Sequence, residues 1–251
     1  MSNQIYGIRA ILEAIEAEQP INKIFLQKGL GGELFKELET AIRKNGLSSS
    51  YVPVEKLNRL TKNNHQGAVA NISPVQFHHF EDLVENVMEK DGIPLFLLLD
   101  QVSDVRNFGA IIRTAECCGV DGIIVPKNGA APITDDTAKT SAGAAFRVPI
   151  SKVDHLKDAI FYLQSSGIAI IAATEKGENS IYSVDFNKPC AVVMGAEDKG
   201  ISASILSLAD HKAKLPLLGD IGSLNVSVAC GVFLYEAVRQ RMQSYSGLKL
   251  P

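Results

Sequence analysis

The sequence predicts an α/β protein of two parts: a small N-terminal α/β unit, then a larger unit built on a mostly parallel sheet. Two observations carry that prediction. From Leu95 onward, short apolar runs alternate with helical stretches, the pattern of a parallel sheet whose strands are buried on both faces. Before residue 75, apolar residues recur at helical spacing between shorter strand-like runs, and Pro74 closes the segment. The composition, 46% hydrophobic and 21% charged, is that of a globular chain.

In the first part, Ile8, Ile11, Leu12 and Ile15 mark a helix and Ile24–Leu26 a strand. Leu34, Phe35, Leu38, Ala41 and Ile42 mark a second helix, stopped by Asn45-Gly46. Tyr51–Val54 and Gly67–Ile72 read as strands. Residues 76–92 carry a short acidic helix, with Glu81, Asp82, Glu85 and Glu89, that reads as a solvated linker. The expected division is therefore 1–75, a linker 76–92, and 93–251. In the last part, Leu95–Leu99, Gly122–Val125, Ile168–Ala172 and Ala191–Met194 read as strands. Gly109–Cys118, Asp154–Ser165 and Leu224–Met242 read as helices. Ligands of such a sheet sit at the carboxyl ends of its strands.

Several classes are excluded. The apolar runs are too short to span a bilayer, and MSNQIYGIRA lacks the basic-then-apolar order of a secretory signal. Cys117, Cys118, Cys190 and Cys230 make no metal-ligand spacing and read as reduced thiols of a cytoplasmic protein. No metal is expected. The G-x-G-x-x-G fingerprint, the phosphate-binding P-loop and the G-x-S-x-G elbow are all missing. The net charge is −3, but residues 1–75 hold nine Lys+Arg against seven Asp+Glu and the remainder 16 against 21. A polyanion would have to be met by a local patch.

Three clusters follow predicted strands. The first runs Asp104-Val105-Arg106-Asn107-Phe108-Gly109-Ala110 and continues to Arg113. Asn107 suits a helix N-cap as well as a site. Arg113 lies among Ile111, Ile112 and Ala115 on a helix expected to be largely buried, where it needs either a structural ion pair or a phosphate or carboxylate to clamp. The second cluster, Gly195-Ala196-Glu197-Asp198-Lys199-Gly200, is either a simple turn or a loop whose Gly195 admits a ligand close to the backbone. The third leads from Leu215-Pro216-Leu217 to Ser223-Leu224-Asn225-Val226-Ser227, a polar string opening an apolar helix. Capping explains one of its polar residues. The helix itself carries Val226, Val228, Ala229, Val232, Phe233, Leu234, Ala237 and Val238, too wide an apolar set for one solvated face. Either the monomer buries it or a second chain does.

Taken together and in order, the clusters resemble the SpoU branch of the SPOUT RNA methyltransferases, whose motifs read Asp-Pro-x-Asn-x-Gly-Ala with a following Arg, Gly-x-Glu-x-x-Gly, and a Pro-containing strand end before Ser-Leu-Asn-Val-Ser. Val105 stands where the family usually has proline, and Leu215 and Leu217 where Ile and Met are commoner. Ile5-Tyr6-Gly7-Ile8 and His65-Gln66-Gly67-Ala68 resemble the substrate-binding domain of the bacterial rRNA guanosine-2′-O-methyltransferase subgroup, itself similar to RNA-binding ribosomal proteins.

The resemblance implies a C-terminal trefoil knot, a homodimer packed through it, and S-adenosylmethionine as methyl donor. The cofactor would be held by backbone at Thr174, Gly195, Leu215 and Leu224, with Ser223 beside them. It implies a catalytic set of Arg113, Asn107, Asn225 and Glu197. A free guanidinium has a pKa of about 12.5–13.8, so clamping a phosphate and stabilising alkoxide charge is a more economical role for Arg113 than general base. Positions six apart do not share a helix face, so Asn107 would have to act from a cap. The implied substrate is a guanosine of large-subunit rRNA near the peptidyl transferase centre. The alternatives are a tRNA methyltransferase and a non-catalytic RNA-binding or ribosome-assembly protein.

Overall fold

The structure, a computed structural model, describes residues 4–177 and 179–244. The chain divides into two compact units. One runs to Gln76 and includes Pro132–Asp135; the other comprises Phe77–Ala131 and the chain from Asp136 onward.

In the N-terminal unit, β1 (Gln4–Tyr6), α1 (Ile8–Glu16), β2 (Ile21–Gln27), α2 (Glu33–Lys44), β3 (Ser49–Val52), α3 (Val54–Leu60) and β4 (Ala68–Ile72) follow in order. The sheet runs β1-β4-β2-β3, with β2 and β3 parallel and the other pairs antiparallel. Alternation along β2 sorts its residues between two faces. Ile24 and Leu26 join Ile8, Ile11, Ile15, Phe35, Leu38 and Ile42 of α1 and α2 in one core. Phe25 packs instead with Val52, Val69 and with Leu57 and Leu60 of α3. The short helix α3 and strand β1 escape a periodicity reading because neither spans more than two turns or three residues.

The second unit holds α4 (Phe80–Met88), β5 (Leu95–Leu99), α5 (Val105–Cys117), β6 (Gly122–Pro126), α6 (Asp135–Thr140), β7 (Ile150–Val153), α7 (Leu156–Ser165), β8 (Ala169–Ala173), β9 (Asn179–Ser180), β10 (Cys190–Met194), α8 (Ala203–Leu206), β11 (His211–Lys214) and α9 (Val226–Ser244). Its seven strands run β7-β6-β5-β10-β8-β11-β9, and every pairing is parallel. The expected parallel sheet is therefore present, and its strands' carboxyl ends lie along one edge.

The expected solvated linker helix is corrected. Phe80, Leu83, Val84 and Val87 of α4 are buried in the core that α7 and the sheet residues Phe96, Leu98, Ile170 and Val193 also form. Its acidic residues occupy only the outward face, which made the whole helix read as solvated. On α9 the apolar set splits. Val226, Phe233, Leu234 and Ala237 are buried, while Val228 and Val232 are exposed. The helix packs against α5 and lies along β8 and β10. Near its far end, the Arg241 guanidinium donates to the carbonyls of Ile93, Pro94, Phe186 and Lys188, tying α9 to the amino ends of β5 and β10.

Candidate active site

Three strand-end loops meet where the parallel sheet brings their strands together. Asp104 caps α5 by accepting from the Asn107 backbone N–H at 2.8 Å, a contact worth about 1 kcal/mol. Asn107 is therefore not the cap but a residue of the first helical turn, and its side chain is free for other work. Gly109 lies two residues on, where a Cβ would stand 2.6 Å from that of Thr140. Only glycine lets the end of α6 approach α5 so closely.

The loop after β10 closes on itself. Ala196 and Gly200 exchange backbone hydrogen bonds of 3.1 and 2.8 Å. A Cβ on Gly195 would lie 2.1 Å from the Gly200 carbonyl carbon. The space beside Gly195 is thus filled by the loop's own return strand, not left open for a ligand. Asp100, buried at the end of β5, fastens the loop's far end by accepting from the Ser202 N–H at 2.7 Å.

This closed loop presents Glu197 to two amides. Asn107 Nδ2 donates to Glu197 Oε2 at 2.9 Å, and Asn225 Nδ2 donates to Glu197 Oε1 at 3.0 Å. Asn225 Nδ2 also donates to Asn107 Oδ1 at 3.0 Å, which closes a triangle. Asn225 Oδ1 in turn accepts from the Ser227 N–H and hydroxyl at 3.0 and 2.6 Å. Three of the four residues expected to be catalytic, from three separate segments of the chain, are one hydrogen-bonded unit. With both oxygens engaged, Glu197 acts as the hub that sets the orientation of the two amides.

Arg113 does not join them. It is exposed, not buried as expected, and forms no hydrogen bond or ion pair among the described residues. Six residues along a regular helix turn it about 120° away from Asn107. The buried residues of α5 are Phe108, Gly109, Ile111, Ile112 and Ala115. Arg106, seven residues before Arg113 and so on the same stripe, is exposed too. Arg106 was not singled out from sequence, although the seven-residue spacing carried the signal. Asp100 and Asp104 were likewise missed as the anchors of the two loops.

The expected cofactor residues lie around the same edge. The Thr174 N–H donates to Ala213 and its carbonyl accepts from Gly177, at 2.9 and 3.1 Å. That leaves a second carbonyl lone pair and the hydroxyl, which already accepts from the Lys176 N–H. After β11 the chain is open. Among the described residues, 215–224 make no backbone–backbone hydrogen bond, and Leu218, Ile221, Ser223 and Leu224 are exposed. This row of unpaired N–H and C=O groups has the donor and acceptor chemistry that a purine edge and a ribose require.

The three buried cysteines supply no nucleophile here. All four are free. Burial pushes the Cys118 and Cys190 thiols up to about 11 and that of Cys230 higher still, which removes the thiolate character a nucleophile needs.

Residues 94–235 match the sequence profile of the SpoU rRNA Methylase family. The chain belongs to that family. Residues 4–78 match a second profile, RNA 2′-O ribose methyltransferase substrate binding. YacO of Bacillus subtilis, assigned to the TrmH family of tRNA/rRNA methyltransferases, is 32% identical over 94% of this chain and 95% of its own. A protein of Staphylococcus haemolyticus with the same family assignment is 33% identical over 95% and 96%. Among solved structures, the SpoU methyltransferase AviRb from Streptomyces viridochromogenes superposes with a TM-score of 0.61 at 25% identity, covering 97% of this chain and 91% of that one. A TrmH/SpoU tRNA modifying enzyme of A. aeolicus superposes at 0.57 with 34% identity, covering 66% and 83%. This SpoU family chain is thus an RNA methyltransferase carrying a SpoU substrate-binding domain.

Proposed function

We propose that the protein transfers the methyl group of S-adenosylmethionine to a ribose 2′-hydroxyl of RNA, in the cytoplasm and as a homodimer. The target we favour is a guanosine of large-subunit rRNA near the peptidyl transferase centre. The carrying observation is the Asn107–Glu197–Asn225 triangle at the carboxyl ends of a parallel sheet, beside a segment of unpaired backbone. Intact Asn107, Arg113, Gly195, Ser223 and Asn225 weigh against a non-catalytic assembly protein. A tRNA substrate is the second reading, favoured by the 34% identity to the A. aeolicus tRNA modifying enzyme.

Unpaired backbone at Leu215 and Leu224, with Ser223 and the remaining Thr174 groups, would hold the cofactor in a knotted site, while Gly195 lets the neighbouring loop close on itself. Bound there, S-adenosylmethionine supplies an electrophilic methyl whose departure leaves a neutral thioether. The protein's share is orientation of the ribose hydroxyl, which falls to Asn107 and Asn225, each fixed by Glu197. Arg113 would clamp the target phosphate and stabilise developing alkoxide charge. Since helix geometry turns it away from its own triangle, Arg113 would serve the triangle of the other protomer. The dimer seam would run along Val228, Val232 and Tyr235, which share an exposed stripe of α9.

Incubation with labelled S-adenosylmethionine and transcripts of either large-subunit rRNA or tRNA, followed by digestion to nucleosides, tests this. We expect 2′-O-methylguanosine from the rRNA. Label confined to tRNA would establish the second reading, and no label in either would overturn both.

A further inference from the structure

Charge in the N-terminal unit is sorted between the two sides of its sheet. The side bearing α1 and α2 carries Arg9, Lys36, Arg43 and Lys44, together with Glu13, Glu16, Glu18, Glu33, Glu37 and Glu39. The side bearing α3, with the loop ends beside it, carries Lys23, Lys28, Lys56, Arg59 and Lys62 against the single acid Glu55. A unit of small net charge therefore has one clearly basic side. None of those five cations forms an ion pair among the described residues.

The basic side is also organised. Lys23 of β2 and Lys56 of α3 are far apart in sequence, yet both ammonium groups stand over the same ring, that of Phe25, at 5.9 and 5.3 Å from its centroid. Cation–π attraction holds each one. Neither ammonium is paired with a carboxylate among the described residues. Arg59 lies one helical turn beyond Lys56. Lys28 and Lys62 extend the patch to one end of the sheet, where the Gln27 N–H bonds the Gly67 carbonyl and so brings the chain after β2 beside the chain before β4. The partner such a surface fits is a flexible polyanion, lying along the patch and exchanging its counterions for these side chains.

We propose that the RNA phosphodiester backbone docks on the α3 side of the N-terminal unit, across Lys23, Lys56 and Arg59 and on to Lys28 and Lys62. This rests on the reading that the protein binds RNA, and it names the surface that does so. The α1–α2 side, with six acids against four cations, would face away from the RNA.

The test uses the full chain and a transcribed large-subunit rRNA fragment, with binding measured across a series of salt concentrations. Each phosphate contact contributes about 0.7–0.9 to the slope of log K against log salt. The variant K23Q/K56Q/R59Q should therefore flatten the slope by about 2, and lose at least roughly tenfold in affinity at low salt. The variant K36Q/R43Q/K44Q removes the same charge from the other side and should leave the slope unchanged. K23R/K56R keeps the charge and should bind as the parent does, which separates loss of contact from loss of fold. An equal or larger effect from K36Q/R43Q/K44Q, or an unchanged slope in K23Q/K56Q/R59Q, would overturn the proposal while leaving RNA binding itself intact. Parent protein with no salt-dependent affinity for the fragment would instead overturn the reading beneath it.

Discussion

The two loops that flank the end of β8 are built in opposite ways. The loop after β10 is closed by its own backbone, packed so tightly that Gly195 has no room for a methyl, and fastened by Asp100. The segment after β11 makes no backbone–backbone hydrogen bond among the described residues and exposes Leu218 and Ile221. A loop of the first kind can hold a carboxylate in place before any ligand arrives. A segment of the second kind keeps its backbone donors and acceptors open to what it binds. Glu197 sits on the closed loop, and Leu215, Ser223 and Leu224, three of the residues expected to touch cofactor, sit on the open one. That is the division an orienting catalyst needs: fixed where hydroxyl geometry is set, adaptable where molecules enter.

The largest expected effect breaks the rigid side. Glu197→Ala frees both amides of the triangle and should slow methyl transfer by about 100-fold or more in single-turnover assays, with S-adenosylmethionine affinity nearly unchanged by titration calorimetry. Gly195→Ala attacks the same loop through packing. Its methyl would meet the Gly200–Ile201 peptide, and we expect a loss of about 1–3 kcal/mol in denaturant melts together with lowered activity. Past the open segment, on the exposed stripe of α9, Val228→Asp with Val232→Asp should leave the monomer's fold untouched and weaken self-association about tenfold or more in sedimentation equilibrium, as expected where apolar contact area is lost. The smallest effect lies outside both loops. Arg239 and Gln240 hold the Glu236 carboxyl below its ordinary value of 4.5. A lowered folded-state pKa adds stability above the ordinary value, and that stability is lost as pH falls through the lowered one. Glu236→Gln should therefore flatten the acid limb of the thermal-melt profile.

Much of this contrast was legible in the sequence. The apolar strands of the second unit and the motif residues at their ends stand where expected. What escaped has physical reasons. β11 reads His-Lys-Ala-Lys, and only Ala213 is buried, so no apolar run marks it. Asp104 and Asn107 are both cap-forming types three residues apart, and only the geometry shows which oxygen meets which N–H. Arg113 read as buried because Ile111, Ile112 and Ala115 surround it in sequence. On the helix those three face the core, while Arg106 and Arg113 share the open stripe. Glu197 read as one polar residue in a turn, since nothing in a linear sequence shows that two asparagines 118 positions apart converge on it.

The central claim is that one catalytic site is assembled from the triangle of one protomer and Arg113 of its partner. Mixing the Arg113→Ala and Glu197→Ala proteins under conditions that exchange subunits, then measuring methyl transfer to rRNA, tests it most directly. Each variant alone should retain about 1% of wild-type activity or less. The mixture should recover roughly a quarter of wild-type activity, because half of the randomly formed dimers carry one intact site. A mixture no more active than its separate components, with subunit exchange verified, would contradict the account.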